Sequence, residues 1–200
     1  MAADVYLGSG RRSSQIDRSK GRHVSQVGNR GRILLWVNGV NDLKSLSNRE
    51  LLKLYAELMT ELRSRDVVRS SNGPGADIAE GLVAKALSLT LNAASTAGYD
   101  GIDPDGHKIE VKCRRLTKHN KSRQLSAIRN LESAHFDFLA GVLFDEDFSV
   151  MRAALIPFQV VKDHAVFVKH TNGWKFVLRD SVWTLPGVED ITERLHQVEQ

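Results

Sequence analysis

The sequence predicts an α/β domain, and three observations carry that expectation. Two stretches place small or apolar residues at helical spacing, residues 47–65 and 76–91. Four later runs read as strands separated by turn signals, residues 99–102, 108–113, 138–144 and 150–156. At 200 residues and 42% hydrophobic content, the chain is long enough for one well-cored domain with extensions.

The elements follow in chain order. Residues 1–32 hold seven Lys/Arg against two Asp, are rich in Ser and Gly, and show no apolar period, so they read as a flexible basic tail. Ile33-Leu34-Leu35-Trp36-Val37 is a short strand-like run that Asn38-Gly39 breaks. Ser47 then caps a helix and Glu50 completes a capping box. Leu51, Leu54, Tyr55, Leu58, Met59 and Leu62 form its apolar face, which suits core or dimer packing. The turn cluster of residues 70–75 leads to the second helix, about residues 76–91. Its small residues Ala76, Ala79, Gly81, Ala84 and Ala86 permit close approach to a sheet, and Glu80 stands among them.

Asp103-Pro104-Asp105-Gly106 is a strong turn signal between residues 99–102 and the alternating run Lys108-Ile109-Glu110-Val111-Lys112-Cys113. Residues 124–132 read as a short helix, and Asp145-Glu146-Asp147 as the turn between two further strands, the second ended by Pro157. Residues 166–168 and 174–178 form a hairpin around Thr171-Asn172-Gly173, and residues 190–197 a closing helix. The domain plan is therefore a tail (1–32), a strand and helix addition (33–70), and a main domain (71–200).

Composition narrows the function classes. No apolar run approaches the roughly 20 residues that span a bilayer, and the start lacks a signal peptide's apolar core, so no membrane association is expected. The single Cys113 makes no internal disulfide, which suits a cytoplasmic setting, and the histidines form no zinc pattern. Residues 112–129 carry seven Lys/Arg and no acid, so two concentrated basic zones point to a polyanionic partner.

The chemistry is expected at the hairpin of residues 99–113. With a five-residue loop, residues 103–107, Asp100 lies opposite Glu110 and shares its face with Lys112. A one-residue slip would turn Asp100 to the other side. Two adjacent carboxylates repel unless a cation lies between them, and a hard divalent ion with oxygen ligands, Mg²⁺ or Mn²⁺ in its place, answers that need. Lys112 beside it is read as the base that activates the attacking water, or as a donor to charge building on phosphorus.

Asp100 followed by Glu110-Val111-Lys112 after a turn resembles the PD-(D/E)XK nucleases, the restriction-endonuclease-like superfamily. Tyr99 stands where many members have proline. The resemblance covers about residues 75–156 and implies an αβββαβ core with a mixed central sheet. It implies Asp100 and Glu110 as metal ligands, Glu80 on the preceding helix as a further ligand, and Gln124 on the following helix near the scissile phosphate. Arg114, Arg115, Lys118, Lys121 and Arg123 are expected to hold the DNA backbone on either side of the cut.

The expectation is a Mg²⁺-dependent endonuclease acting on DNA, with a homodimer and a role in restriction or phage defence as the setting that suits it. The alternatives are a DNA-binding module of the same fold without activity, and an interaction protein that dimerises through the leucine-rich helix of residues 47–65.

Overall fold

The computed structural model describes residues 40–70, 73–92 and 98–199. The expected tail and the run of residues 33–37 lie outside them. The chain divides into two units, Met1–Ser45 and Leu46–Gln200. The described part of the first is a 3-10 helix, Val40–Ser45.

Helix α1 spans Asn48–Ser64 and begins with the expected capping box: Ser47 accepts from the Glu50 N–H, and the Glu50 carboxylate accepts from the Ser47 N–H at 2.8 Å. Its apolar stripe is not core. Only Met59 is buried, while Leu51, Tyr55 and Leu58 are exposed. Helix α2 spans Gly75–Leu87. It ends four residues short of the expected limit because Ser88 turns left-handed (φ 56°), and Thr90–Leu91 becomes strand β1.

Strands β2 (Gly101–Ile102), β3 (Lys108–Arg115), β4 (Phe138–Phe144), β5 (Val150–Pro157) and β8 (Glu189–Asp190) complete a six-stranded sheet in the order β1-β2-β3-β4-β5-β8. All neighbours are antiparallel except β3 and β4, which run parallel. The molecule is thus mixed α/β with a mostly antiparallel central sheet. Strands β6 (Val166–Val168) and β7 (Gly173–Lys175) form the expected hairpin. Helix α3 (Phe158–His164) follows β5 directly, and α4 (Thr192–Val198) closes the chain.

Burial of both sheet faces explains why β4 reads as an unbroken apolar run. On one face, Ala140, Val142 and Phe144 meet Ala79 and Val83 of α2 and Leu195 of α4. On the other, Leu139 and Leu143 meet Leu125, Ile128, Leu131, Phe176 and Leu178. Fully burying one such side chain contributes roughly 1.5–3 kcal/mol.

The expected helix over residues 124–132 is absent, and with it the second helix of an αβββαβ core. Leu125, Ile128 and Leu131 have the three-residue spacing of a helical face, yet the segment is largely extended. The Leu125 N–H bonds to Phe176 O and the Ile128 N–H to Trp174 O, so the connection is pinned backbone to backbone against the β7 region. Only Leu131–Ser133 turns, as a 3-10 helix. Here tertiary hydrogen bonding overrides local spacing.

Candidate active site

The register of the β2–β3 hairpin follows the expected five-residue loop. Gly101 pairs with Ile109 and Ile102 with Lys108, and continuing the count sets Asp100 opposite Glu110. Strand β2 is only two residues long, so beyond Ile109 this side of β3 has no strand partner. Asp100 occupies that edge. Its N–H bonds to Ile109 O at 2.8 Å, and its carboxylate accepts from the Val111 N–H at 2.7 Å. The acid therefore replaces the missing ladder bond and is fixed beside the strand that carries Glu110 and Lys112.

Those two side chains form an ion pair, and Lys112 Nζ also donates to Val111 O at 3.2 Å. Glu110 is buried. Burial pushes its carboxyl above the ordinary glutamate range, against the attraction of Lys112, and Asp100 and Glu80 push in the same direction. Glu80 reaches the same edge from α2 and is raised by burial and by Asp100, against its ion pair with Arg69. Three carboxylates from α2, the hairpin and β3 thus act on one another at the sheet edge.

Arg69 was not legible as a site residue, and its placement has a local cause. The buried Asp77 accepts from the Arg69 N–H at 2.9 Å, and from the Ser70 N–H and hydroxyl at 2.8 and 2.9 Å. Burial opposes the charged form of Asp77, but these donors outweigh it and hold the group below the usual carboxylate range. The chain leaving α1 is thereby tied to α2 one turn before Glu80.

Glu110 and Lys112 open onto a cleft of about 490 Å³, lined also by Gly98, Ala127, Arg129, Asn130, Ser133 and His135. Sequence reasoning assigned none of these six to the site, because the crossover that supplies most of them was expected to be a helix. Gly98 has φ +113°, and a Cβ there would stand 3.4 Å from the His135 ring. Burial, and next the charge of Lys112, lower the His135 pKa.

Gln124 lies not on a helix but in the extended crossover, bridged to Val177, and does not line this cleft. The expected DNA-holding residues diverge. Arg114 donates to Ser122 O at 3.3 Å, Arg115 stacks 4.3 Å from the Phe148 ring centre, and Arg123 pairs with Asp180 at 2.6 Å. Lys118 and Lys121 are exposed at the Thr117–Asn120 turn. Cys113 packs against the α2 side of the sheet, where burial pushes its thiol up to about 11.

Among the described residues, the acid and histidine ligand atoms that gather within 4.8 Å of one another are those of Asp103, Asp105 and His107, at the hairpin tip. That cluster has a turn explanation: the Asp103 carboxylate accepts from the Asp105 and His107 N–H groups, and His107 Nδ1 lies 3.0 Å from it. Glu80, Asp100 and Glu110 do not converge so closely, each being held by a donor of its own. No helix among the described residues is long and apolar enough to cross a membrane. No protein-family model matches the sequence, and none of the curated proteins matches it.

Proposed function

We propose that the chain is a divalent-metal-dependent endonuclease acting on DNA, with Glu80, Asp100, Glu110 and Lys112 as its reaction centre. One observation carries the reading: three mutually repelling carboxylates, two of them pushed upward by burial, lie at a sheet edge beside Lys112, which pairs with Glu110, and an open cleft. Burying such a set is costly for stability alone, and perturbed acids in a cleft mark functional sites. Helix α2, the β2–β3 hairpin and a fourth strand parallel to β3 also agree with a restriction-endonuclease-like core lacking its second helix.

The donor set is all oxygen, which fits Mg²⁺ or Mn²⁺. Asp100 and Glu110 would hold the ion, with Glu80 as a third ligand once Arg69 lets go. When bound, the ion supplies Lewis-acid polarisation of a phosphodiester. Lys112 keeps a positive charge facing the cleft, where it stabilises charge gathering on the attacked phosphate. Arg129 lines the same cleft and would orient that phosphate, while Lys118 and Lys121 hold the backbone further out.

Supercoiled plasmid incubated with wild type and Glu110→Gln, in Mg²⁺, Mn²⁺ and EDTA, tests the proposal. Cutting by wild type in either metal, absent in EDTA and in the variant, is expected. Salt-sensitive binding without cutting in any metal would instead favour the DNA-binding module.

A further inference from the structure

Resting on the nuclease reading, we propose that His135, not Lys112, accepts the proton of the attacking water, and that Ser133 and Asn130 fix the tautomer this requires. The Ser133 hydroxyl has one proton and two close neighbours, Asn130 O at 2.7 Å and His135 Nδ1 at 2.9 Å. A carbonyl oxygen only accepts, so the hydroxyl proton goes to Asn130. Ser133 Oγ is then an acceptor toward the ring, and Nδ1 must carry the imidazole proton. The ring also has a backbone hydrogen bond to Asn130, which as a carbonyl can only accept. With the proton on Nδ1, Nε2 keeps the lone pair that can take a proton.

The ring lines the same cleft as Lys112. Lys112 is badly suited to take a proton: its ammonium is paired with the buried Glu110 and donates to Val111 O. The charged groups facing the ring are Lys112 and Glu110 from β3 and Arg129 from the crossover, while Glu132 is engaged by the Trp174 indole N–H at 3.3 Å. Burial, and next Lys112, disfavour a second proton on the imidazole, against the backbone hydrogen bond to Asn130.

In the step itself, the water oxygen forms its bond to phosphorus while its proton passes to Nε2. The phosphorus–oxygen bond to the sugar breaks, and the departing oxygen keeps the electron pair and takes a proton from solvent. His135 returns its proton to solvent before the next turnover. Lys112 remains a fixed positive charge throughout.

Two readouts on the full chain test this. Imidazole ¹⁵N NMR of the metal-free protein is expected to show His135 neutral at neutral pH, protonated on Nδ1, with that preference lost in Ser133→Ala. Plasmid cleavage in Mg²⁺ is expected to fall about 100-fold or more in His135→Gln, the range of a lost general base. Protonation of Glu80 and Glu110 lowers the rate at acidic pH in every variant, and the further acid limb that belongs to His135 should be lost in His135→Gln and persist in Lys112→Ala, however slow. Ser133 is exposed, so its alanine variant keeps the fold and should lose a smaller part of the rate. A proton on Nε2, or His135→Gln cutting with the wild-type rate and pH profile, overturns the proposal and leaves the nuclease reading standing. A wild type that cuts no DNA in any metal overturns both, and that result is visible before any variant is made.

Discussion

Strands β3 and β4 lie side by side in parallel register, Glu110 beside Leu139 and Lys112 beside Gly141, yet they are built to different ends. From Leu139 onward every residue of β4 is buried, and its apolar side chains serve two cores. Strand β3 gives Ile109 and Val111 to one core and spends the opposite face on Lys112 and on Glu110, an acid whose charge burial makes costly. Adjacent strands with equal access to packing thus diverge in what they contribute. The contrast separates residues kept for stability from residues kept despite their effect on it.

The largest change in stability is expected on the β4 side. Leu139→Ala removes a fully buried side chain and should cost about 2–5 kcal/mol in denaturant unfolding, with no change in the response to metal. Next comes the tie that sets Arg69 over Glu80. Asp77→Ala strips three donors of their shared acceptor and should cost about 2–3 kcal/mol, and less metal should then be needed to stabilise the fold because Arg69 is no longer held in place. On the exposed helix α1, Ser47→Ala removes one half of the capping box and should cost about 1 kcal/mol, leaving any cleavage untouched.

Glu110→Gln should give the smallest change, and one of opposite sign. Because burial raises the folded-state value of Glu110 above that of the unfolded chain, deprotonation costs stability as pH rises through the folded value. The variant should therefore melt higher than wild type at neutral pH, with the gap closing once pH drops below the ordinary glutamate value. Mg²⁺ should raise the wild-type melting temperature and leave that of the variant nearly unchanged, since only a fold that binds the ion gains from it. A Glu110→Gln protein less stable than wild type at neutral pH would make Glu110 an ordinary structural partner of Lys112.

Much of this contrast could be read from the sequence. The uninterrupted apolar run of residues 138–144 marked β4, and the alternation of Ile109, Val111 and Cys113 with Lys108, Glu110 and Lys112 marked β3. The Asp103-Pro104-Asp105-Gly106 turn set the hairpin register, and Ser47 with Glu50 set the start of α1. Legibility failed where long-range contacts decide. Leu125, Ile128 and Leu131 fit a helix as well as they fit an extended segment clipped to residues 174–178. Thr90–Leu91 and Glu189–Asp190 are strands only because β2 and β5 offer them edges. Helix α3 was missed because its seven residues, right after the Pro157 that ends β5, are too few to show a helical period. The cleft wall of Arg129, Asn130, Ser133 and His135 was hidden for the same reason as the crossover that carries it.

The most direct test of the central claim, that the acid–lysine edge of β3 is a hydrolytic centre, is cleavage of supercoiled plasmid and linear genomic DNA by wild type and Lys112→Ala, each with Mg²⁺ and with EDTA. Metal-dependent cutting by wild type that is sharply slowed in the variant is the predicted result. Binding of both DNAs with no cutting by wild type, or equal cutting by the two proteins, would contradict it.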